Sequence, residues 1–377
     1  APFVWDRSGV EYPLTDPRWR GDDGSPLALA PMRGLDLQQI DIGERSLWRY
    51  QAVLPVPAQH RVSLGEGWTP MLPLDWSGRR VHFKLEWFNP TSSFKDRGVA
   101  VMVSHLRGLG ATRVLEDSSG NGGSAVAAYA AAAGIQAKII VPAETSAAKI
   151  LQTRAFGAEI ELVPGTRDEV AEEAVRQSAS IPYASHNWHP MFLQGTKTVA
   201  YEMWEMLGFT APDNVVLVAA AGSNILGCDI AFTELLDAGQ ITRRPRLLVG
   251  QPEHWATIAD AVNGIDSAAR GPRIPTIAEG ASIANPIRLP ETVAAIHRSG
   301  GAAVAVSEGE IRRAVRDLAA RGLYAEPTSS VAAAALDRFI ADGTIRPGQT
   351  TVVVLTGGGL KSAEKMAAVF AEDQGQR

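Results

Sequence analysis

The sequence predicts an α/β fold of repeated strand and helix units arranged in two domains, and three observations lead to this prediction. Short runs rich in β-branched residues recur along the chain from residue 81 onward. Alanine-rich stretches long enough for crossover helices separate them and close with glycine, as helix ends often do. The length of 377 residues, with 45% hydrophobic and 20% charged side chains, exceeds what one compact core accommodates.

The predicted strands are nearly continuous in apolar residues, which is typical of parallel strands covered on both faces. In chain order they are VHFKLE, TRVLEDSS, AKIIVPA, AEIELVP, NVVLVAA, RLLVGQPE, AVAVSE and TTVVVLTG. The predicted crossover helices include GSAVAAYAAAAG and SSVAAAALDRFIADG. Ligands of such sheets bind where the carboxyl ends of strands turn into helices, so these turns are the candidate functional segments.

The domain organisation is predicted from changes in pattern along the chain. Residues 1–44, with many Pro, Gly, Asp and Trp residues and little periodicity, predict an irregular N-terminal arm. Residues 81–205 predict a smaller α/β domain, and residues 45–80 together with 206–377 predict a larger one. A helix-rich stretch at about 190–212 is expected to carry the chain from one sheet to the other.

Composition excludes several classes of function. The net charge of -5 and the scattered basic residues argue against a nucleic-acid partner. No apolar run reaches the ~20 residues that span a bilayer, and the start APFVWDRSGV lacks the features of a secretory signal, so we expect a cytoplasmic protein with no membrane partner. The single cysteine, Cys228, excludes an internal disulfide and a zinc site with several cysteine ligands, and no metal is expected.

Three glycine-rich turns follow predicted strands. Ser118–Ser124 combines glycines and hydroxyls at a helix start, which suits either an anion site for a carboxylate or phosphate or a tight N-capping turn. Ala219–Asn224 favours a single phosphate, because both the dinucleotide G-x-G-x-x-G spacing and the G-x-x-x-x-G-K-[ST] segment are missing. The glycines after Thr356 indicate close backbone approach to a ligand or to a neighbouring loop.

The segment NPTSSFKDRG, from Asn89 to Gly98, places Lys95 in the first turn of a predicted helix. The helix dipole and Arg97 both favour the free amine, which is the form of a lysine that attacks a carbonyl. A lysine nucleophile with separate cradles for a phosphate and a carboxylate indicates a pyridoxal phosphate enzyme that acts on an amino acid.

These motifs resemble those of the threonine synthase family, within the tryptophan-synthase-like superfamily (fold type II) of pyridoxal phosphate enzymes. EGWTPMLPL resembles the family segment EGxTPL, and NPTSSFKDRG resembles NPTGSFKDRG. SSGNGGSAVAAYAAAAG is similar to STGNxxAxxAAYAAxxG, GTKTVAYE to GQKTxAxE, and LTGGGLK to TGxGLK. The resemblance covers about residues 45 to 365 with the motifs in the family's order.

The resemblance implies a role for each matching residue, with the cofactor in the cleft between the domains. Lys95 would be the Schiff-base lysine and the general base and acid. The cofactor-binding residues would be Asn121 at the ring hydroxyl, Ala221, Gly222, Ser223 and Asn224 at the phosphate, and Thr356 at the pyridine nitrogen. The substrate-binding residues would be Ser118, Ser119, Gly120, Asn121 and Gly122 at the carboxylate, together with Ser92. A homodimer is also implied.

The sequence departs from the family in two places. WRGDDGSPLAL stands where many relatives carry the cysteine-bearing zinc knuckle WRCxCGGPL, so this arm cannot bind zinc in that way. Phe192 stands where the family motif N-S-x-N-P-x-R has its substrate-phosphate arginine, and phenylalanine supplies neither charge nor a bidentate fork. His186, Asn187 and His189 nearby are candidate substrate-binding residues, or the histidines are ordinary partly buried side chains.

The expected function is elimination or replacement at the side chain of a small L-amino acid. The family default is the threonine synthase reaction, which converts O-phosphohomoserine and water to threonine and phosphate. The alternative is an ammonia-lyase or dehydratase that acts on a β-hydroxy amino acid such as serine, threonine or hydroxyaspartate. Two other classes of protein stay open. A nucleotide-dependent dehydrogenase would leave the Lys95 segment unexplained. A catalytically inactive binding protein would usually have lost the lysine or the Ser-Gly-Asn loop, and both are present here.

Overall fold

The computed structural model describes residues 2–30 and 32–371 of the chain. Contacts divide the described residues into two units. The first unit takes those within Ala1–Trp68, Asn89–Thr91 and Lys95–Thr198, and the second those within Thr69–Phe88, Ser92–Phe94 and Val199–Arg377. Residues 1, 31 and 372–377, which the predicted arm and larger domain included, lie outside the described residues.

The elements confirm the predicted α/β class. The strands are β1 Phe3–Trp5, β2 Glu11–Pro13, β3 Ala28–Leu29, β4 Met71–Trp76, β5 Arg79–Leu85, β6 Arg113–Glu116, β7 Gln136–Pro142, β8 Glu159–Val163, β9 Asn214–Val218, β10 Arg246–Pro252, β11 Ala302–Val306 and β12 Thr351–Leu355. The helices are α1 Lys95–Gly108, α2 Asn121–Ala133, α3 Leu151–Ala155, α4 Arg167–Gln177, α5 Pro190–Thr196, α6 Thr198–Met206, α7 Ser223–Asp237, α8 Thr257–Asn263, α9 Leu289–Arg298, α10 Glu308–Ala319, α11 Pro327–Ala341 and α12 Ala363–Ala371. Short 3-10 helices span Leu37–Gln39, Leu47–Val53, Ala58–His60, Glu86–Phe88, Glu253–Trp255, Ser267–Arg270, Glu279–Ala281 and Gly359–Ser362. Each run predicted as a strand overlaps one of the strands from β5 to β12.

The first unit contains a three-stranded parallel sheet in the order β6-β7-β8. The segment after α4 extends this sheet locally, because Tyr183 forms a parallel bridge with Leu115 of β6. One face of the sheet packs on α4 and on the arm in a core formed by Trp19, Leu115, Ile140, Val170, Ala174 and Tyr183. The residues that follow Leu115 and Tyr183 are therefore held side by side.

The N-terminal arm of the first unit forms a small antiparallel sheet in the order β2-β1-β3. The buried carboxylate of Asp6 organises it by accepting hydrogen bonds from the Ser8 hydroxyl (2.7 Å), the Val10 amide (3.0 Å) and the Tyr12 hydroxyl (2.7 Å). Trp19 then packs edge-on against both Tyr183 and Trp188, with ring centroids 5.1 Å apart in each pair. These contacts tie the arm to the segment that carries the candidate histidines.

The second unit contains a six-stranded sheet in the order β11-β10-β9-β12-β5-β4. Its strands are parallel except for β4, which pairs antiparallel with β5 at one edge. Every residue of the neighbouring central strands β9 and β12 is buried, as expected for strands covered on both faces. The turns that follow β9 and β12 therefore leave the sheet at the same edge, where ligands of such sheets bind.

The contacts place two segments differently from the domain boundaries expected from sequence. Residues 45–68 belong to the first unit, because Glu66 accepts hydrogen bonds from Trp48 (2.8 Å) and from Tyr129 of α2 (2.9 Å). Residues 81–88 belong to the second unit, because β5 pairs with β12. The change of unit at Thr198 and Val199 falls at the start of α6, within the stretch 190–212.

Candidate active site

Lys95 is the first residue of α1. Asp96 fixes the turn that precedes it, because its carboxylate accepts hydrogen bonds from the Thr91 amide (2.6 Å) and the Thr91 hydroxyl (2.5 Å). The Lys95 ammonium nitrogen lies 5.3 Å from the ring centroid of Phe192. Within the first unit, the candidate nucleophile thus has an aromatic face at the position where the resemblance expects an arginine.

The residues just before Lys95 belong to the second unit and run beside the turn that follows β12. The Phe94 amide donates to the Thr356 carbonyl (2.9 Å), and Ser93 forms an antiparallel bridge with Gly357. Ser92 has a φ of 63°, in the left-handed region that favours glycine, and the family motif has glycine at this position. The backbone is strained one turn away from the candidate nucleophile, as often happens at functional sites.

The loop from Ser118 to Gly122 leads from β6 into α2 in the first unit. Gly120 is the N-cap residue, so the first amides of α2 point out of a helix N-terminus, which is an environment that binds anions. A Cβ atom at Gly123 would lie 1.9 Å from the Ser118 carbonyl oxygen, so the tight turn requires glycine there. The structure thus gives the predicted carboxylate site a suitable backbone arrangement.

His186 lies beside Glu116 at the end of β6. Its Nδ1 atom lies 2.7 Å from one Glu116 carboxyl oxygen, and its amide donates to the other at 3.2 Å. Burial raises the pKa of Glu116 to about 8 and, with a contribution from Lys95, lowers the pKa of His186 well below its ordinary value. Both changes favour the uncharged forms of the pair at neutral pH.

Phe192 is fully buried in α5. A Cβ atom added to Gly98 of α1 would lie 2.4 Å from two ring carbons of Phe192, so the ring packs directly on the backbone of α1. Its ring centroid also lies 5.9 Å from that of His186. The residue that replaces the family arginine is thus a fixed part of the packing between α1 and α5.

The other two candidates on this segment have different surroundings. The Nδ1 atom of His189 accepts the Met191 amide at 3.2 Å and so caps the N-terminus of α5, while its ring contacts His105 with centroids 5.8 Å apart. Asn187 is half-buried, and its backbone amide donates to the Ser185 hydroxyl at 3.4 Å. His186, by contrast, is joined through its ring to the buried carboxyl group of Glu116.

The predicted phosphate residues form the N-terminus of α7 in the second unit. Gly222 is the N-cap residue with a φ of 92°, and a Cβ atom there would lie 2.4 Å from the Thr292 hydroxyl oxygen. Ala221 precedes it, and Ser223 and Asn224, both buried, form the first turn of this 15-residue helix. Backbone amides, a hydroxyl and the helix dipole converge there, as a phosphate requires.

Thr356 follows β12 in the second unit and is buried. Its hydroxyl lies 3.0 Å from that of Ser329, which also accepts a hydrogen bond from the Gly357 amide (2.7 Å). Thr356 therefore offers a neutral hydroxyl rather than a carboxylate. Part of the glycine requirement comes from protein packing, because a Cβ atom at Gly357 would lie 2.6 Å from a carboxyl oxygen of Glu326.

Sequence reasoning missed Glu116 and Ser329. Glu116 lies within a predicted strand and Ser329 within a predicted helix, and a hydrogen bond between residues 70 positions apart, as in the Glu116–His186 pair, leaves no local signal. A weak signal was present in the acidic pair at the end of TRVLEDSS, because carboxylates that end a buried strand are unusual.

Two findings concern metals and membranes. Over residues 2–30 and 32–371, no three His, Cys, Asp or Glu side chains cluster in a way that could hold a metal ion. In the same part of the chain, no helix is both long and apolar enough to cross a bilayer.

The chain is similar to several known proteins. Residues 62–357 match the family described as pyridoxal-phosphate dependent enzyme. The threonine synthase of Methanosarcina acetivorans is 32% identical over 348 residues, which cover 90% of this chain and 85% of that protein. The threonine synthase of Methanocaldococcus jannaschii is 32% identical over 342 residues, covering 88% of this chain and 84% of that protein.

Solved structures show the same fold at lower identity. Threonine deaminase isoform 2 from Solanum lycopersicum superposes with a TM-score of 0.69 at 22% identity, covering 91% of each chain. Maize serine racemase superposes with a TM-score of 0.65 at 21% identity, covering 82% of this chain and 93% of that chain. These likenesses support the predicted two-domain fold of type II.

Proposed function

Because this chain belongs to the pyridoxal-phosphate dependent enzymes and is a lyase of that family, we propose that it catalyses elimination or replacement at the side chain of a small L-amino acid, with Lys95 as its catalytic residue. The observation that carries this proposal is the place of Lys95 at the start of α1, behind a turn that Asp96 holds through Thr91. An amine at the end of such a constrained turn is positioned for reaction with an aldehyde.

Each unit carries residues that suit particular groups of pyridoxal phosphate. We propose that Lys95 takes the aldehyde, that Asn121 lies at the ring hydroxyl, and that Thr356 faces the pyridine nitrogen. The cradle that a Cβ atom at Gly222 would fill, with Ser223 behind it, suits the phosphate because it lies at the N-terminus of a long helix. The bound cofactor supplies an electron sink for negative charge at the α-carbon of the substrate.

The remaining chemistry falls to the chain itself. The first amides of α2, with the hydroxyls of Ser118 and Ser119, are proposed to bind the substrate carboxylate, since anions are stabilised at helix N-termini. The amine of Lys95 would take the proton from the α-carbon and return it as general acid. Ser92, Asn187 and His189 are proposed neighbours of the substrate.

The family default is the threonine synthase reaction, and relatives of that name at 32% identity support it. One observation favours the second candidate, a dehydratase or ammonia-lyase that acts on a β-hydroxy amino acid. Phe192 lies buried against α1 where the resemblance expects an arginine, and an aromatic ring cannot form the bidentate bonds that hold a phosphate. A substrate with an uncharged leaving group would not need them.

Product analysis by mass spectrometry separates these candidates. The purified protein, loaded with pyridoxal phosphate, would be incubated in turn with O-phospho-L-homoserine, L-serine, L-threonine and hydroxyaspartate. Threonine and phosphate would establish the threonine synthase reaction, and a keto acid with ammonia would establish the dehydratase. Lys95→Ala, the matched control, should lose turnover and the visible absorbance that borohydride removes from a lysine-bound cofactor. Turnover retained by this variant would contradict the proposal.

We propose in addition that the enzyme is a cytoplasmic homodimer. The resemblance to threonine synthases supports both statements. Sedimentation equilibrium of the holoenzyme tests the dimer, since a mass near the 40.2 kDa of one chain would contradict it.

A further inference from the structure

Glu116 and His186 form a buried, hydrogen-bonded pair of ionisable side chains that has no role in the proposed function so far. Glu116 is fully buried, and both of its carboxyl oxygens contact His186, one at the ring and the other at the backbone amide. The segment 182–184 creates this arrangement by pairing with Leu115 of β6, since the Leu115 amide donates to the Pro182 carbonyl (2.9 Å) and the Ala184 amide to the Leu115 carbonyl (2.8 Å). The imidazole is therefore fixed by the sheet.

The pair lies against two parts of the candidate active site. A Cβ atom at Gly122 would lie 2.7 Å from His186 Nδ1, so the imidazole covers the end of the loop proposed for the substrate carboxylate. The other neighbour of the imidazole is Phe192, whose ring is the one that lies 5.3 Å from the Lys95 nitrogen. Among the described residues, Glu116 is the hydrogen-bond partner of the ring through Nδ1, and 8% of His186 stays exposed.

The pair holds a proton that it can deliver. Burial raises the pKa of Glu116 to about 8, against opposing contributions from the His186 amide, Lys95 and Arg167. Burial also keeps His186 neutral, assisted by Lys95 and Arg167 and opposed by the nearby Asp117. At neutral pH the carboxyl group is therefore protonated next to an imidazole nitrogen that can accept the proton.

We propose that the Glu116–His186 pair is the acid that protonates a leaving hydroxyl group, so that the substrate is a β-hydroxy L-amino acid. This inference rests on the proposed function and specifies its substrate class. His186 would be the catalytic residue that meets the leaving oxygen, and Glu116 the positioning residue that supplies its proton. Phe192, which cannot hold a phosphate, would form the apolar wall beside them.

The proposed step eliminates water from the substrate. The Cβ–O bond breaks with its electron pair moving to the oxygen, which takes the Nε2 proton of His186 while Nδ1 takes the proton of Glu116, and water leaves. The amine of Lys95 takes the α-proton, and the electron pair of the Cα–H bond forms the Cα–Cβ double bond. Hydrolysis of the released enamine by a second water gives the keto acid and ammonia. Lys95 then releases the proton that it took, and Glu116 takes up a proton through solvent.

The test compares two leaving groups. L-serine must lose hydroxide and needs an acid, whereas β-chloro-L-alanine loses chloride without a proton. Glu116→Gln and His186→Gln should lower kcat on L-serine by about 100-fold or more, the usual contribution of a general acid, and change kcat on β-chloro-L-alanine only about threefold. The matched control is Tyr183→Phe, which removes a 2.7 Å hydrogen bond to neighbouring Asp117 but leaves the pair intact, and it should change neither rate.

The pH dependence gives a test without any variant. The Glu116 proton is present below a pKa of about 8 and is lost as the pH rises through that value, so kcat on L-serine should fall above pH 8 while kcat on β-chloro-L-alanine does not. Infrared spectroscopy of the holoenzyme supplies a readout independent of turnover. The carbonyl stretch of a protonated carboxyl group should disappear over the same pH range, and Glu116→Gln should lack it.

Three results would overturn the inference. Equal losses on both substrates in the two variants would mean that the pair only supports the structure. The second result is that the wild-type pH profiles of kcat for the two substrates coincide. This measurement needs no variant, so it counts against the inference even if a variant does not fold. Turnover of O-phospho-L-homoserine without turnover of any β-hydroxy amino acid would overturn the inference and leave the proposed function standing. If none of these amino acids reacts although the cofactor is bound to the lysine, the proposed function itself is overturned.

Discussion

The contact between Gly98 and Phe192 gives a quantitative prediction for the packing of α1 against α5. Replacing Gly98 by alanine would improve helix propensity by about 1 kcal/mol. The new Cβ atom would, however, lie 2.4 Å from ring carbons of a fully buried side chain, and such overpacking costs about 1–3 kcal/mol. We therefore expect Gly98→Ala to lower the free energy of unfolding by up to about 2 kcal/mol and to displace the ring.

A double-mutant cycle measures this contact. Phe192→Leu removes the ring carbons, so the double variant should be more stable than the sum of the single losses by about 1–2 kcal/mol, as for residues in contact. Urea unfolding of the protein, followed by aromatic circular dichroism, would provide the free energies of unfolding. Gly108→Ala, at the other end of α1, is the matched control and should show no coupling to Phe192→Leu. Losses that add within about 0.5 kcal/mol for Gly98 and Phe192 would refute the packing argument.

Two further predictions concern the second unit. Lys84 and Glu202 form an ion pair at 2.6 Å with both side chains fully buried, so Lys84→Met should cost about 3–5 kcal/mol because it removes one charge of a buried pair. The double variant Lys84→Met, Glu202→Leu should recover most of that loss in thermal unfolding, and equal losses would contradict this account. Gly222→Ala should weaken binding of pyridoxal phosphate to the apoenzyme, measured by absorbance titration, by about fivefold or more, since the left-handed backbone alone costs about 1–2 kcal/mol. Gly239→Ala has similar backbone strain just after α7 and open space around the new Cβ atom, so its affinity for the cofactor should stay unchanged.

The sequence predicted the parts of the fold that local pattern determines. Runs such as NVVLV are fully buried because strands covered on both faces need no polar alternation, and this made the central strands readable. The edge strand β4, Met71–Trp76, was missed because it contains Pro73, leaves several side chains exposed, and pairs antiparallel with β5.

The candidate site was predictable where a backbone motif defines it and not where tertiary contacts do. Glycines and hydroxyls at the starts of α2 and α7 predict anion sites, and the segment NPTSSFKDRG predicts a reactive lysine at the start of α1. The partnership of Glu116 with His186 depends on the pairing of residues 182–184 with β6, which brings distant residues together without any periodic signal. The sequence showed that Phe192 replaces the family arginine. It did not show that Phe192 contacts Gly98, because this contact joins two helices that are far apart in the sequence.

The hydrogen bonds of the N-terminal arm bear on how the arm is held together. The segment WRGDDGSPLAL has no cysteine where the family segment WRCxCGGPL has two, and within this arm the carboxylate of Asp6 binds Ser8, Val10 and Tyr12. Since the chain has one cysteine, the buried Cys228, the arm has no thiol to oxidise. The hydrogen bonds of Asp6, and the contacts of Trp19 with Tyr183 and Trp188, thus involve neither a thiol nor a metal ligand.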